Sequence, residues 1–196
     1  MAKLLYQGHG SFRVISNDNT VVYVDPYLGE GYDIVADGIV ITHEHHDHTK
    51  ISLVTLKNNA KIIRANNLTD GTTYRSDRIN TINVMGVPAY NSNHKQEECM
   101  GVIIEVDGKK IYATGDTSTT DFMTTLSAQN IDYALFCCDG IYNMDVKEAS
   151  ECAKIVNAKI NIPYHTYPEH LFSKEIAEKF TASNRKILLP GDEIVL

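Results

Sequence analysis

The chain has 196 residues, of which 43% are hydrophobic and 22% charged, the balance of an ordinary globular protein that folds as a single domain over 1–196. Its net charge of −7 offers no general affinity for nucleic-acid phosphates, so no nucleic-acid partner is expected. No apolar run is long enough for a membrane span or a signal-peptide core, so a cytoplasmic location is expected.

In chain order, residues 4–7, 12–15 and 21–24 are short apolar runs set apart by turn residues, and S-N-D-N-T at 16–20 predicts a hairpin turn. The run G-I-V-I-T at 38–42 predicts a strand that leads straight into T-H-E-H-H-D-H-T-K at 42–50. Residues 51–57 predict a short helix and 61–65 a strand. Residues 78–90 and 99–113 predict longer strands, the second folded back at Asp107-Gly108, a strong two-residue hairpin signal. Strands and helices then alternate: a helix over 121–129, a strand over 131–137, and a helix from Asp145 with Glu148 placed for a capping box. A strand over 159–163, a helix over 173–182 and a last strand over 186–189 complete the pattern. Strands first and strand–helix alternation later predict a layered α/β protein with sheets inside and helices outside. The cysteines Cys99, Cys137, Cys138 and Cys152 have neither C-x-x-C nor disulfide-like spacing, so buried reduced thiols are expected.

The chemistry concentrates in H-x-H-x-D-H, formed by His43, His45, Asp47 and His48. A zinc-type ion takes imidazole nitrogens and carboxylate oxygens at about 2 Å in a roughly tetrahedral array. Six consecutive residues cannot easily close all four side chains around one ion. Alternate positions converge on one ion while the next pair turns toward a neighbour, so the motif predicts two ions, each still short of ligands. His94, Asp116 in A-T-G-D-T and His165 in I-P-Y-H-T are the candidates to complete them, each placed beyond a predicted strand, where α/β architectures build their sites. Taken singly each is ambiguous: His94 suits a polar loop, Asp116 a helix start and His165 a core. Glu44 and His46 fall between the motif positions and are expected at the surface.

The order H-x-H-x-D-H, then His, Asp and His, resembles the metallo-β-lactamase fold superfamily. The segments G-H-G-S-F at 8–12, V-D-P-Y at 24–27, A-T-G-D-T at 113–117 and I-P-Y-H-T at 162–166 are similar to one branch of it. That branch holds bacterial metal-dependent hydrolases of unassigned substrate, ascorbate-6-phosphate lactonases and N-acylethanolamine phospholipases of the D type. The resemblance implies a four-layer αββα sandwich in one domain. It also implies that His43, His45 and His94 hold a first metal and that Asp47, His48 and His165 hold a second, with Asp116 bridging. Asp25 matches an aspartate expected to hold a ligand imidazole in its tautomer. His9 matches the G-H dipeptide and either faces substrate or is structural, and Asp139 either adds charge near the site or begins a loop.

On this reading the cofactors are two divalent ions, zinc foremost, with manganese or iron compatible with the same ligands. A hydroxide shared between them attacks a carbonyl carbon of an ester or lactone, or the phosphorus of a phosphodiester, in a small-molecule substrate. Asp47 and Asp116 are the expected catalytic carboxylates, and Tyr142, Tyr164, Tyr167 and His170 are candidate substrate contacts. A non-catalytic metal-binding or ligand-sensing protein is the alternative on the same fold. A di-iron redox enzyme is disfavoured by His45 in place of a carboxylate and by the lack of a flavin module. Homo-oligomer formation is left open by the sequence.

Overall fold

Short β-branched and aromatic runs separated by Gly, Asn and Asp favour strands over helices, and strands dominate the computed structural model, which describes residues 1–196. The first half forms β1 (Lys3–Gly8), β2 (Ser11–Ile15), β3 (Val21–Val24), β4 (Ala36–Ile41), β5 (Leu56–Arg64) and the one-turn helix α1 (Ala65–Leu68). The second half forms β6 (Ser76–Ile79), β7 (Ile82–Pro88), β8 (Met100–Val106), β9 (Lys109–Ala113), α2 (Met123–Leu126), β10 (Tyr133–Cys137), α3 (Val146–Val156), β11 (Ile160–Tyr164) and α4 (Lys174–Lys179). A final strand, β12 (Glu193–Val195), returns to the first half.

Two six-stranded mixed sheets result, in the orders β12-β1-β2-β3-β4-β5 and β11-β10-β9-β8-β7-β6. In each sheet the parallel pairs form one group, β3-β4-β5 in the first and β9-β10-β11 in the second. Most of the core lies between the two sheets, where Leu4, Tyr6, Phe12, Val40, Val102, Ile104 and Leu135 are sealed from solvent. α2, α3 and α4 cover the outer face of the second sheet. The outer face of the first is covered more thinly, by the 26–35 loop and one 3-10 turn, Ile51–Leu53, packed over Val21, Tyr23, Ile39 and Ile41. The αββα layering is therefore present, with its fourth layer reduced to loop. No helix is long and apolar enough to cross a membrane.

Several expected elements settle differently. Of the helix expected over 51–57 only a 3-10 turn forms, because residues from Leu56 onward join β5 beside β4. The strand expected over 78–90 is a hairpin, β6 and β7, turning at Asn80, whose φ of 48° suits an asparagine in the left-handed region. The strand expected over 186–189 does not form. Arg185 makes a single bridge to Asn161, Leu188 drops into the core, and Pro190 has no N–H to continue a ladder. The closing strand is instead β12, paired with β1. The Asp107-Gly108 hairpin forms as expected, with φ of 48° and 78°. Asp145 caps α3 by accepting the Glu148 N–H at 2.7 Å, but the capping box is only half made. The Glu148 carboxylate turns to Thr119 instead, accepting from its N–H and its hydroxyl. All four cysteines are free and buried.

Candidate metal centre

In both sheets the parallel strands end at the same edge of the sandwich, and the polar residues that follow them meet there. Asp25 follows β3, Thr42 and His43 follow β4, Asp116 lies just past β9, Asp139 just past β10, and His165 directly after β11. His9 comes from the β1–β2 turn. His94 departs from the strand-end expectation, since it lies six residues past β7 in the loop before β8. Three of these residues hold left-handed backbone, with φ of 52° at His9, 46° at Asp25 and 45° at His165. Such conformations cost a non-glycine residue about 1–2 kcal/mol and concentrate at functional sites.

Three overlapping groups of ligand atoms result, each with all members within 4.8 Å of one another: His43, His45 and His94; His43, His48 and Asp116; and His9, Asp47, His48 and His165. Asp116 sits at the centre. Its Oδ1 lies 3.5 Å from His48 Nε2, and its Oδ2 lies 3.5 Å from both His94 Nε2 and His165 Nε2. The structure thus brings together all seven residues expected as ligands, and His9 with them. Glu44 and His46 are exposed, and Glu44 pairs with Arg64 at 2.7 Å.

The rings are aimed by their other nitrogens. His48 Nδ1 donates to Asp25 Oδ2 at 2.9 Å. The Thr42 hydroxyl donates to the same oxygen at 2.6 Å, which leaves it to accept from His43 Nδ1 at 3.1 Å. One buried carboxylate therefore orients two imidazoles, one of them through a threonine. His94 Nδ1 donates to Asn91 Oδ1 at 2.9 Å, and His165 Nδ1 lies 3.4 Å from Asp139 Oδ2. Asn143 spans the carboxylates, donating to Asp116 Oδ2 and Asp139 Oδ2. Thr42, Asn91 and Asn143 carry no sequence signal of their own; only Asn91, three residues before His94, could have been suspected from spacing. Gly10 completes the packing, since a Cβ there would lie 2.9 Å from His48 Cε1 and 3.4 Å from His165 Cδ2.

Among the candidate substrate contacts, Tyr142 lies at the mouth of a cavity of about 270 Å³ lined also by His45, Asp47, His94, Asp116 and Glu169. Tyr164 is instead buried, its hydroxyl accepting from the Gly115 N–H at 3.0 Å, so it shapes the turn that carries Asp116. Tyr167 packs against the His170 ring outside this cavity.

The donor set fits divalent ions. The Nε2 atoms of His43, His48 and His165 and Oδ1 of Asp116 are buried without a hydrogen-bond partner, a costly arrangement unless a cation satisfies them. Burial pushes His43 well below the usual imidazole range, keeping it a neutral donor. Burial would also disfavour charge on His48, but the adjacent Asp116 and Asp25 carboxylates outweigh it and raise His48 well above that range. Asp116 is raised by burial and more than offset by His165 and His48, so it stays ionised.

The sequence profile of the family described as "Beta-lactamase superfamily domain" matches residues 3–165. The chain belongs to the metallo-β-lactamase superfamily. Within it the chain is 26% identical to the UPF0173 metal-dependent hydrolase of Thermococcus onnurineus, all of both chains being covered. That alignment runs over 226 positions, so the relative carries segments that this shorter chain lacks. A crystal structure from Parabacteroides distasonis, assigned as a metal-dependent hydrolase, is 28% identical with a TM-score of 0.78, over 95% of this chain and 91% of that one. Igni18, a metallo hydrolase of Ignicoccus hospitalis, shares the fold at 22% identity and a TM-score of 0.76, over 98% and 97% of the two chains.

Proposed function

We propose that this member of the superfamily is a hydrolase that holds two divalent ions, zinc foremost, and cleaves a small ester or lactone. The observation that carries the reading is the central Asp116 carboxylate, with each oxygen 3.5 Å from imidazoles of different groups at the floor of an open cavity. His43, His45 and His94 would hold one ion and Asp47, His48 and His165 the other, with Asp116 common to both. When bound, such ions polarise a carbonyl oxygen and lower the pKa of a water toward neutrality.

The residues assign the remaining roles. No Ser, Thr or Cys lines the cavity. Burial raises all four thiols, Cys99 to about 12, so none supplies a thiolate nucleophile and water must attack. Asp47 is half-buried on the cavity wall. Burial would raise its pKa, but the adjoining His9 and His48 imidazoles hold it well below the usual carboxylate range. It is therefore ionised at neutral pH, placed on the cavity wall to accept a hydrogen bond from the attacking water and orient it. Asp116, buried and shared, positions rather than transfers.

The wall also limits the substrate. It carries no Lys or Arg and places Glu169 at the rim, so nothing there receives a separate phosphate or carboxylate group. This favours a substrate with no anionic group beyond the one that reacts. The test is to strip the protein with chelator, reload it with zinc, and assay a nitrophenyl ester, a simple lactone and a nitrophenyl phosphodiester. Metal-restored turnover of the ester or lactone, lost in Asp116→Ala, is expected. Two tightly held ions with no turnover of any of the three would favour the sensing alternative.

A further inference from the structure

Resting on the two-ion reading above, we infer that His9 is a fifth protein ligand of the second metal position, joining Asp47, His48, His165 and the shared Asp116 through Nε2.

The ring is handled as the ligand imidazoles are. It is fully buried, its backbone is held in the left-handed region at φ 52°, and its Nδ1 lies 3.1 Å from the His170 carbonyl oxygen. A carbonyl only accepts, so Nδ1 carries the hydrogen and the lone pair belongs to Nε2. That nitrogen faces another acceptor, Asp47 Oδ2, at 3.1 Å. Two acceptor atoms at this separation need either a second ring proton or a metal ion between them. Two ligands about 2 Å from one ion at tetrahedral or octahedral angles lie about 2.8–3.4 Å apart, which brackets the observed distance. The separations from the same oxygen to His48 Nε2, 3.9 Å, and to His165 Nε2, 4.0 Å, are wider, so these two rings would draw closer around a bound ion.

The surroundings lock this placement. The His9 carbonyl accepts from the His165 N–H at 2.9 Å and from the Tyr6 hydroxyl at 3.0 Å, and the His9 N–H donates to the Leu171 carbonyl. The His9 and His165 rings lie 3.8 Å apart, and Tyr27 closes the other side edge-on at 5.1 Å. His9 is thus fixed to β11, whose end supplies His165, and to the 169–172 loop. It has no freedom to swing out toward substrate. A carbonyl partner on the far nitrogen is the arrangement that fixes tautomer and raises basicity in metal-bound histidines.

The test uses the full chain loaded with cadmium, read by cadmium NMR as one resonance per site, with metal affinity measured in parallel. Two resonances are expected for the unaltered protein. In His9→Gly, a substitution the left-handed backbone accepts, one resonance shifts, affinity at that site falls at least about 10-fold, and added imidazole restores both. The resonance of the His43, His45 and His94 position stays in place. His9→Gln offers Asp47 a side-chain donor but removes the nitrogen ligand, so the same resonance is expected to shift. Two bound ions with unmoved resonances in both variants would overturn the assignment and leave His9 as a positioning partner of Asp47. An unaltered protein that takes up no ion would overturn this inference together with the two-ion reading.

Discussion

The two sheets carry the same sequence of strand directions, three antiparallel pairings from one edge followed by two parallel ones, yet they serve the site differently. The first delivers four ligand candidates from a single loop after β4, and its Asp25 orients two of them. The second delivers Asp116 and His165 singly from separate strand ends, with His94 from the β7–β8 loop. The outer faces differ in the opposite sense, helices covering the second sheet and loop the first. A parallel group of strands ends its chains at one edge, so the same ladder supports either a dense loop or dispersed ligands. What distinguishes the halves is loop chemistry rather than sheet topology.

The largest test of this contrast removes the residue at which the halves meet. Asp116→Ala should abolish stable binding at both positions and lower hydrolysis by on the order of 10³-fold or more, with the circular dichroism of the sheets unchanged. Retention of both ions would show that the two halves bind independently.

The supporting carboxylates give the next contrast. Asp25→Asn should weaken metal binding by about 10–100-fold, because it loosens His48 directly and His43 through Thr42. Asp139→Asn should cost less, since His165, at 3.4 Å, is the one imidazole that Asp139 faces. Equal losses by competitive chelator titration would contradict the unequal division of labour.

Acidity should separate metal binding from intrinsic stability. His48 and His165 are disfavoured as cations by burial, but Asp116 above all raises both in the metal-free site. Each therefore holds a proton that an incoming ion must displace, so metal affinity rises with pH by up to about tenfold per unit for each proton released. Stability of the metal-free protein runs the other way. What these two groups contribute is fully present below about pH 6.5 and lost as pH rises through their raised values. Thermal melts of stripped and loaded protein across pH 5–9 check both slopes.

The smallest effect is expected at the opposite end of the sandwich. Asp37 accepts from the Val21 N–H, the Lys57 ammonium and the Asn80 amide, tying β3 and β5 of the first sheet to the β6–β7 turn of the second. Burial would raise its pKa, but these partners, Lys57 first, hold it below the usual carboxylate range. Its contribution is therefore present above about pH 4 and lost as pH falls through the lowered value. Asp37→Ala should cost about 1–3 kcal/mol and lower the melting temperature by about 2–4 °C for each kcal/mol, without changing metal content.

Local sequence accounts for the strand-rich framework, the turns at Asn19 and Asp107-Gly108, the α3 cap at Asp145, and the residues that could bind metal. These are local matters: side-chain periodicity, left-handed turn residues and the spacing of H-x-H-x-D-H act over a few positions. The terminal strand lies at Glu193–Val195 rather than 186–189 because pairing with β1 depends on an edge that no local pattern reveals. Tertiary structure alone decided that Thr42 links His43 to Asp25, that Asn91 and Asn143 hold the ring and carboxylate they touch, and that Tyr164 belongs to the framework. It also decided that His9, from the first turn of the chain, reaches the group made by residues 38 to 156 positions later. Each depends on distances between strand ends far apart in sequence, which only the packing of two sheets sets.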